Sequence, residues 1–189
     1  MRPPGDRPAD RAVVPGRPGA VRRLPPGVVP EVPGPGQTSV WDHPRPPALV
    51  TDPRTVVVTF GGLVCRTSGA LTVLETSHPP TWYLPVADFA PGSLRPAAGG
   101  SVCEWKGRAV YLDLVAPDGR VASAAAWTYP SPTPAFALLR DHVAFYAAAA
   151  DEVTVAGEVV RPQPGGFYGG WVTDDVVGPF KGGPGSTGW

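Results

Sequence analysis

Two short stretches of this 189-residue chain gather side chains that can move protons or hold charge. Glu75 and His78 share the segment Glu75-Thr76-Ser77-His78-Pro79-Pro80, and Cys103 and Lys106 share Cys103-Glu104-Trp105-Lys106-Gly107. A carboxylate beside an imidazole suits general acid–base work, and a thiol beside an ammonium suits nucleophilic chemistry, because a nearby cation favours the thiolate. On a helix, Glu-x-x-His would also put two metal ligands on one face. The prolines after His78 hold that segment extended, so no metal site is expected.

Each residue has a second reading. Glu75 has the parity of Leu71 and Val73 in the alternating run Leu71–Thr76, which aims it inward, where desolvation raises a carboxylate's pKa unless a cation compensates. The other reading is a strand-end Glu paired with a surface Arg. Lys106 is one of two lysines beside fourteen arginines; like Lys181 it follows an aromatic residue or its near neighbour and precedes a glycine. That setting suits an ammonium presented to an anionic group, and the alternative is a solvated turn lysine. Cys103 becomes a nucleophile only where Lys106 or His78 lowers its pKa, and otherwise packs in a core, as Cys65 is expected to do.

Alternation toward Trp127 puts Val121, Ala125, Trp127 and Tyr129 on one face and the small Ala122, Ala124 and Ala126 on the other. Tyr83, Tyr129 and Tyr146 are the tyrosines expected to turn a hydroxyl into a pocket. The candidate set is therefore Glu75, His78 and Lys106 for catalysis, with Tyr83, Cys103, Trp127 and Tyr129 lining a ligand.

The elements that must position these residues read as short strands. Val56–Phe60 and Leu63–Thr67 flank a Gly61-Gly62 turn, and Ala109–Val115 and Arg120–Trp127 flank Ala116-Pro117-Asp118-Gly119, a strong turn sequence. Thr133-Pro134 reads as an N-cap opening a short helix through Arg140, followed by an extended Asp141–Tyr146. A last hairpin turns at Gly157. Residues 1–36 hold ten prolines, six glycines and no aromatic residue, so 1–38 is expected to be a disordered leader ahead of a β domain at 39–161. Ser39–Pro47 reads as a docked strap anchored by Trp41, and 162–189 as a Gly- and aromatic-rich tail whose first half packs on the domain and whose end frays.

Several classes are excluded. Six leader arginines against three acids, with net charge zero overall, lack the dense basic block of a nucleic-acid arm. No apolar run suits a signal peptide or a membrane span, so a cytoplasmic protein without membrane contact is expected. The two cysteines match no zinc or redox spacing, and no phosphate-binding loop, dinucleotide fingerprint or nucleophile elbow occurs.

The segments Glu75–Pro85, Cys103–Gly107 and Ala126-Trp127-Thr128-Tyr129-Pro130 together resemble the domain of unknown function 427 family, also catalogued as a nucleotidyltransferase-like domain. The resemblance spans roughly Arg54 to Glu158, with flanks similar to those of longer bacterial members. It implies a mainly β, compact, antiparallel β-tent-like fold with one short helix, and leaves the reaction open. The chain lacks the paired zinc cysteines of some β-tent relatives and the Gly-Ser and paired-carboxylate signature of magnesium-dependent nucleotidyl transfer. No cofactor is expected. The leading expectation is a small anionic ligand meeting Lys106, with Glu75 and His78 handling protons; the alternatives are a non-catalytic interaction module whose partner is unknown, and thiol redox chemistry at Cys103.

Overall fold

The computed structural model describes residues 24–186 and 189. Residues 1–23 of the expected leader lie outside the described residues. The remainder of that leader already makes contacts ahead of Ser39: Val28 is buried beside Val40, Trp41, Val172 and Val176, and the Glu31 N–H donates to the Gly178 carbonyl at 2.9 Å.

The chain is mainly β. Its strands are β1 (Thr38–Ser39), β2 (Ala48–Asp52), β3 (Val56–Thr59), β4 (Leu63–Thr67), β5 (Ala70–Leu74), β6 (Thr81–Pro85), β7 (Leu94–Cys103) and β8 (Gly107–Val115). They continue with β9 (Val121–Thr128), β10 (His142–Phe145), β11 (Glu152–Val155), β12 (Glu158–Val159), β13 (Arg161–Pro162), β14 (Trp171–Val172) and β15 (Val176–Val177). A seven-stranded antiparallel sheet runs β2-β5-β6-β10-β9-β8-β7, and a four-stranded one runs β12-β11-β3-β4. Short pairs β1–β15 and β13–β14 tie the flanks down.

Period-two alternation gives the large sheet two apolar faces. Ala70, Trp82, Leu84, Ala126, Val143 and Phe145 face the small sheet and form the main core with Val56, Val58, Val64, Val153 and Val155. Leu71, Val73, Tyr83 and Ala144, one residue out of phase, form a second cluster on the outer face, with Trp127 packed against it. The expected helix after Thr133 is a 3₁₀ segment, Pro134–Leu139, kinked at Phe136, and its Phe136 and Leu139 cover this second cluster. Ala122 and Ala126, on the small-residue face of β9, pack into the main core. A bulge at Leu112/Leu114, with Ala124 at φ +49°, interrupts the alternation between them.

The flanks are structural. Trp171 is fully buried and stacks on Trp82 at 5.8 Å, with its indole N–H donated to the Phe145 carbonyl at 3.2 Å. Trp41 is buried, donates to the Pro179 carbonyl at 3.0 Å, and meets Trp189 edge-on at 5.4 Å.

Candidate functional site

The outer cluster is where the singled-out residues meet. β6 brings Tyr83 and β9 brings Trp127, whose indole N–H donates to the Tyr83 hydroxyl at 3.4 Å. Tyr129, just past β9, lies 6.3 Å from Tyr83 between ring centroids, and its hydroxyl interacts with both Tyr83 and the Cys103 thiol. Burial pushes both phenols up, Tyr83 most strongly, so both stay protonated and able to donate. Tyr146 packs on Trp127 at 5.0 Å, but its hydroxyl donates outward, to the Phe167 carbonyl at 3.2 Å.

Cys103 ends β7 and Gly107 opens β8, so Glu104-Trp105-Lys106 is the turn between them. Gly107 sits at φ +94°, which a side chain resists, although a methyl there would make only ordinary contact with the Ser131 carbonyl at 3.5 Å. Thr133 fastens the turn. Its N–H donates to the Lys106 carbonyl at 3.2 Å, and its hydroxyl donates to the Trp105 carbonyl at 2.6 Å in place of the expected N-cap bond.

This clamp sets Lys106 inside. Only 8% of the residue is exposed, and its ammonium lies 6.0 Å from the ring centroids of both Tyr129 and Phe136. Among the described residues no carboxylate comes within ion-pair distance of it. The two aromatic faces offer roughly 0.5–2 kcal/mol each at most, and the ammonium itself keeps solvent contact while its stem is buried.

Glu75 and His78 form the rim. β5 stops at Leu74, so Glu75 leaves the sheet before its side chain can enter the cluster; it is 21% exposed and pairs with Arg45 at 3.1 Å. Arg45 also pairs with Glu104 at 3.1 Å and lies 5.7 Å from the Trp105 ring, so one guanidinium joins strap, rim and turn. The imidazole Nδ1 of His78 lies 2.9 Å from the Thr76 carbonyl, which can only accept, so Nδ1 carries the proton and Nε2 is the basic nitrogen. Burial pushes the His78 pKa down; the Thr76 bond and Glu75 work against this, while Lys181 and Lys106 add to it.

The strap and tail hold this rim from outside. The His43 ring donates to the His78 carbonyl at 3.1 Å, Lys181 N–H donates to the Ser77 carbonyl at 2.9 Å, and Tyr168 meets the His78 ring edge-on at 4.7 Å. Lys181 Nζ is itself bonded to the Trp189 carbonyl. Sequence reasoning did not single out Arg45, Phe136 or Tyr168, because nothing local marks a strap or tail residue as facing a distant turn. Cys65 is buried in the main core, and burial pushes its thiol up to about 12, the pattern of an inert packing cysteine.

A separate cleft of about 500 Å³, with Val86, Leu112, Thr128 and Arg140 among its walls, holds none of these residues. Among the described residues no group of three His, Cys, Asp or Glu side chains is placed to hold a metal ion, and no helix is long and apolar enough to cross a membrane. No curated protein matches the chain. One family model matches residues 48–156, more than half of the chain and all three motifs of the outer cluster, while Arg45, Tyr168 and Lys181 lie outside it. The chain belongs to that family, described as Domain of unknown function (DUF427).

Proposed function

We propose that the outer cluster binds a small anionic ligand through Lys106, with His78 as the proton-handling group on the rim. The single observation that carries this reading is a lysine buried along its stem whose ammonium, which keeps solvent contact, has no carboxylate partner among the described residues. A stem packed beside Tyr129 and Phe136 with an unpaired ammonium at its tip presents that charge to solution, where an anion can meet it. The surrounding groups suit an anion: the Tyr83 and Tyr129 hydroxyls remain donors, and Arg45 pairs with the rim carboxylate Glu75 and with Glu104 on the turn. In this reading Glu75 positions the rim through Arg45, and His78 Nε2 accepts a proton because burial keeps the ring neutral near pH 7.

Thermal melts with increasing inorganic phosphate or acetate test the idea. Wild type is expected to gain stability with ligand concentration, about 2.7 kcal/mol at a hundredfold excess over Kd. Lys106→Met should lose that response while its ligand-free melting temperature is unchanged or higher. No ligand response in wild type sinks the reading, and a Lys106→Met chain that melts well below wild type assigns the lysine to the fold instead.

A further inference from the structure

Lys106 is not the only unanswered group on its turn. Three buried side-chain atoms find no hydrogen-bond partner among the described residues: Trp82 Nε1, Trp105 Nε1 and His142 Nδ1. Trp82 belongs to the main core, under the Arg54 guanidinium at 5.1 Å, and His142 lies on β10 at the far side of the 3₁₀ segment. Trp105 packs against the outer cluster, next in sequence to Lys106, and Thr133 fixes the backbone of both residues. One three-residue turn thus carries an ammonium without an acid and an indole N–H without an acceptor.

The acceptors nearby are already engaged. The Tyr83 hydroxyl receives the Trp127 N–H and interacts with Tyr129, while Glu104, on the same turn, meets Arg45 through Oε1 and is exposed to solvent rather than turned to the indole. A buried donor without an acceptor is disfavoured, so native folds seldom keep one unless water, an ion or a ligand answers it. The cluster is rich in donors and poor in acceptors, and what it lacks is one group with more than one acceptor atom.

We propose that Trp105 Nε1 is the second donor to the ligand that Lys106 holds, so that the bound group is an oxyanion with at least two acceptor oxygens, a carboxylate or a phosphate. This rests on the Lys106 reading. Trp105 is then a specificity-determining residue: the ammonium supplies the charge, and the indole N–H fixes the orientation of the oxyanion through a second oxygen.

Calorimetric titration of the full chain with inorganic phosphate and, in parallel, acetate is the test, and the tighter of the two arms names the oxyanion. Trp105→Phe keeps the ring and removes the N–H, and is expected to weaken binding about tenfold, whereas Lys106→Met abolishes it. An unchanged affinity in Trp105→Phe, with binding lost in Lys106→Met, overturns the role of Trp105 and leaves the Lys106 reading standing; binding retained in Lys106→Met overturns both. Should Trp105→Phe fail to fold, the indole Hε1 resonance of Trp105 in wild type gives the answer. A downfield move on saturation supports the bond, and a resonance that stays in place at saturation overturns it.

Discussion

The two faces of the seven-stranded sheet are made by alternate residues of the same strands, yet they differ in chemistry. Trp82, Leu84, Val143 and Phe145 meet the small sheet in a core that is apolar except for the indole N–H groups of Trp82 and Trp171 and the Cys65 thiol. Tyr83 and Ala144, their immediate neighbours, meet a turn, a 3₁₀ segment and a cluster that includes a thiol, two phenols and an ammonium. The inner face buries area and so supplies stability. The outer face buries area too, but one of its turns carries both an unanswered indole N–H and an unpaired ammonium, whereas the inner face leaves the Trp82 N–H unanswered with no unpaired charge near it.

The largest expected effect breaks the comparison at its stable end. Phe145→Ala removes a fully buried ring in contact with Trp171 at 5.0 Å and should cost about 3–5 kcal/mol in urea unfolding. Tyr129→Phe, which takes only a hydroxyl from the outer face, should cost about 1 kcal/mol. Equal losses for the two would mean that both faces are simply core.

Gly169 probes the outer wall. A methyl at this position would land on the indole ring of Trp127, which is held from the other side by Tyr83 and flanked by Tyr146. Gly169→Ala must therefore push the tail loop or the ring aside, at an expected cost of about 1–3 kcal/mol together with weaker phosphate or acetate binding. Wild-type stability and affinity in this variant would show that the tail does not shape the cluster.

Much of this arrangement is legible in the sequence, for reasons that also explain the rest. The β-branched run Val56–Val58, the alternating Leu71–Val73 and the aromatic run Trp82–Leu84 mark strands, and Ala116-Pro117-Asp118-Gly119 fixes the turn before β9. The ten-residue β7 escapes the pattern because it is a mostly exposed edge strand interrupted by Pro96, Gly99 and Gly100, so neither alternation nor propensity marks it. Parity places Glu75 on the right face, but a periodic pattern does not say where a strand ends, and ending at Leu74 moves the carboxylate to the rim. The grouping of Tyr83, Cys103, Lys106, Trp127 and Tyr129 was visible as motifs. A strand-end Glu75 paired with a surface arginine is the second of the two readings its sequence allows, but that the arginine is Arg45 and that it also holds Glu104 is not legible, since these pairs join residues 30 and 59 positions apart.

The smallest effect is also the most discriminating, because it asks whether rim and cluster share one electrostatic field. Burial holds the His78 pKa below the ordinary value of 6.5, so below that pH the unfolded chain binds the proton that the folded chain resists. The contribution of His78 to stability is thus complete above about pH 6.5 and declines as the pH falls toward the folded value, by at most about 1.4 kcal/mol per unit. His142, also shifted down by burial, has the same sign, so only the difference between wild type and His78→Gln isolates the rim. The His78 midpoint, followed by NMR of the ring protons, then reports its neighbours one at a time. Lys106→Met removes a cation that disfavours the imidazolium and should raise the midpoint, while Glu75→Gln removes the anion that favours it and should lower it. Opposite movements would tie the rim imidazole to the Lys106 ammonium as parts of one site; a midpoint indifferent to Lys106 would separate them and leave His78 to the strap and tail that clasp it.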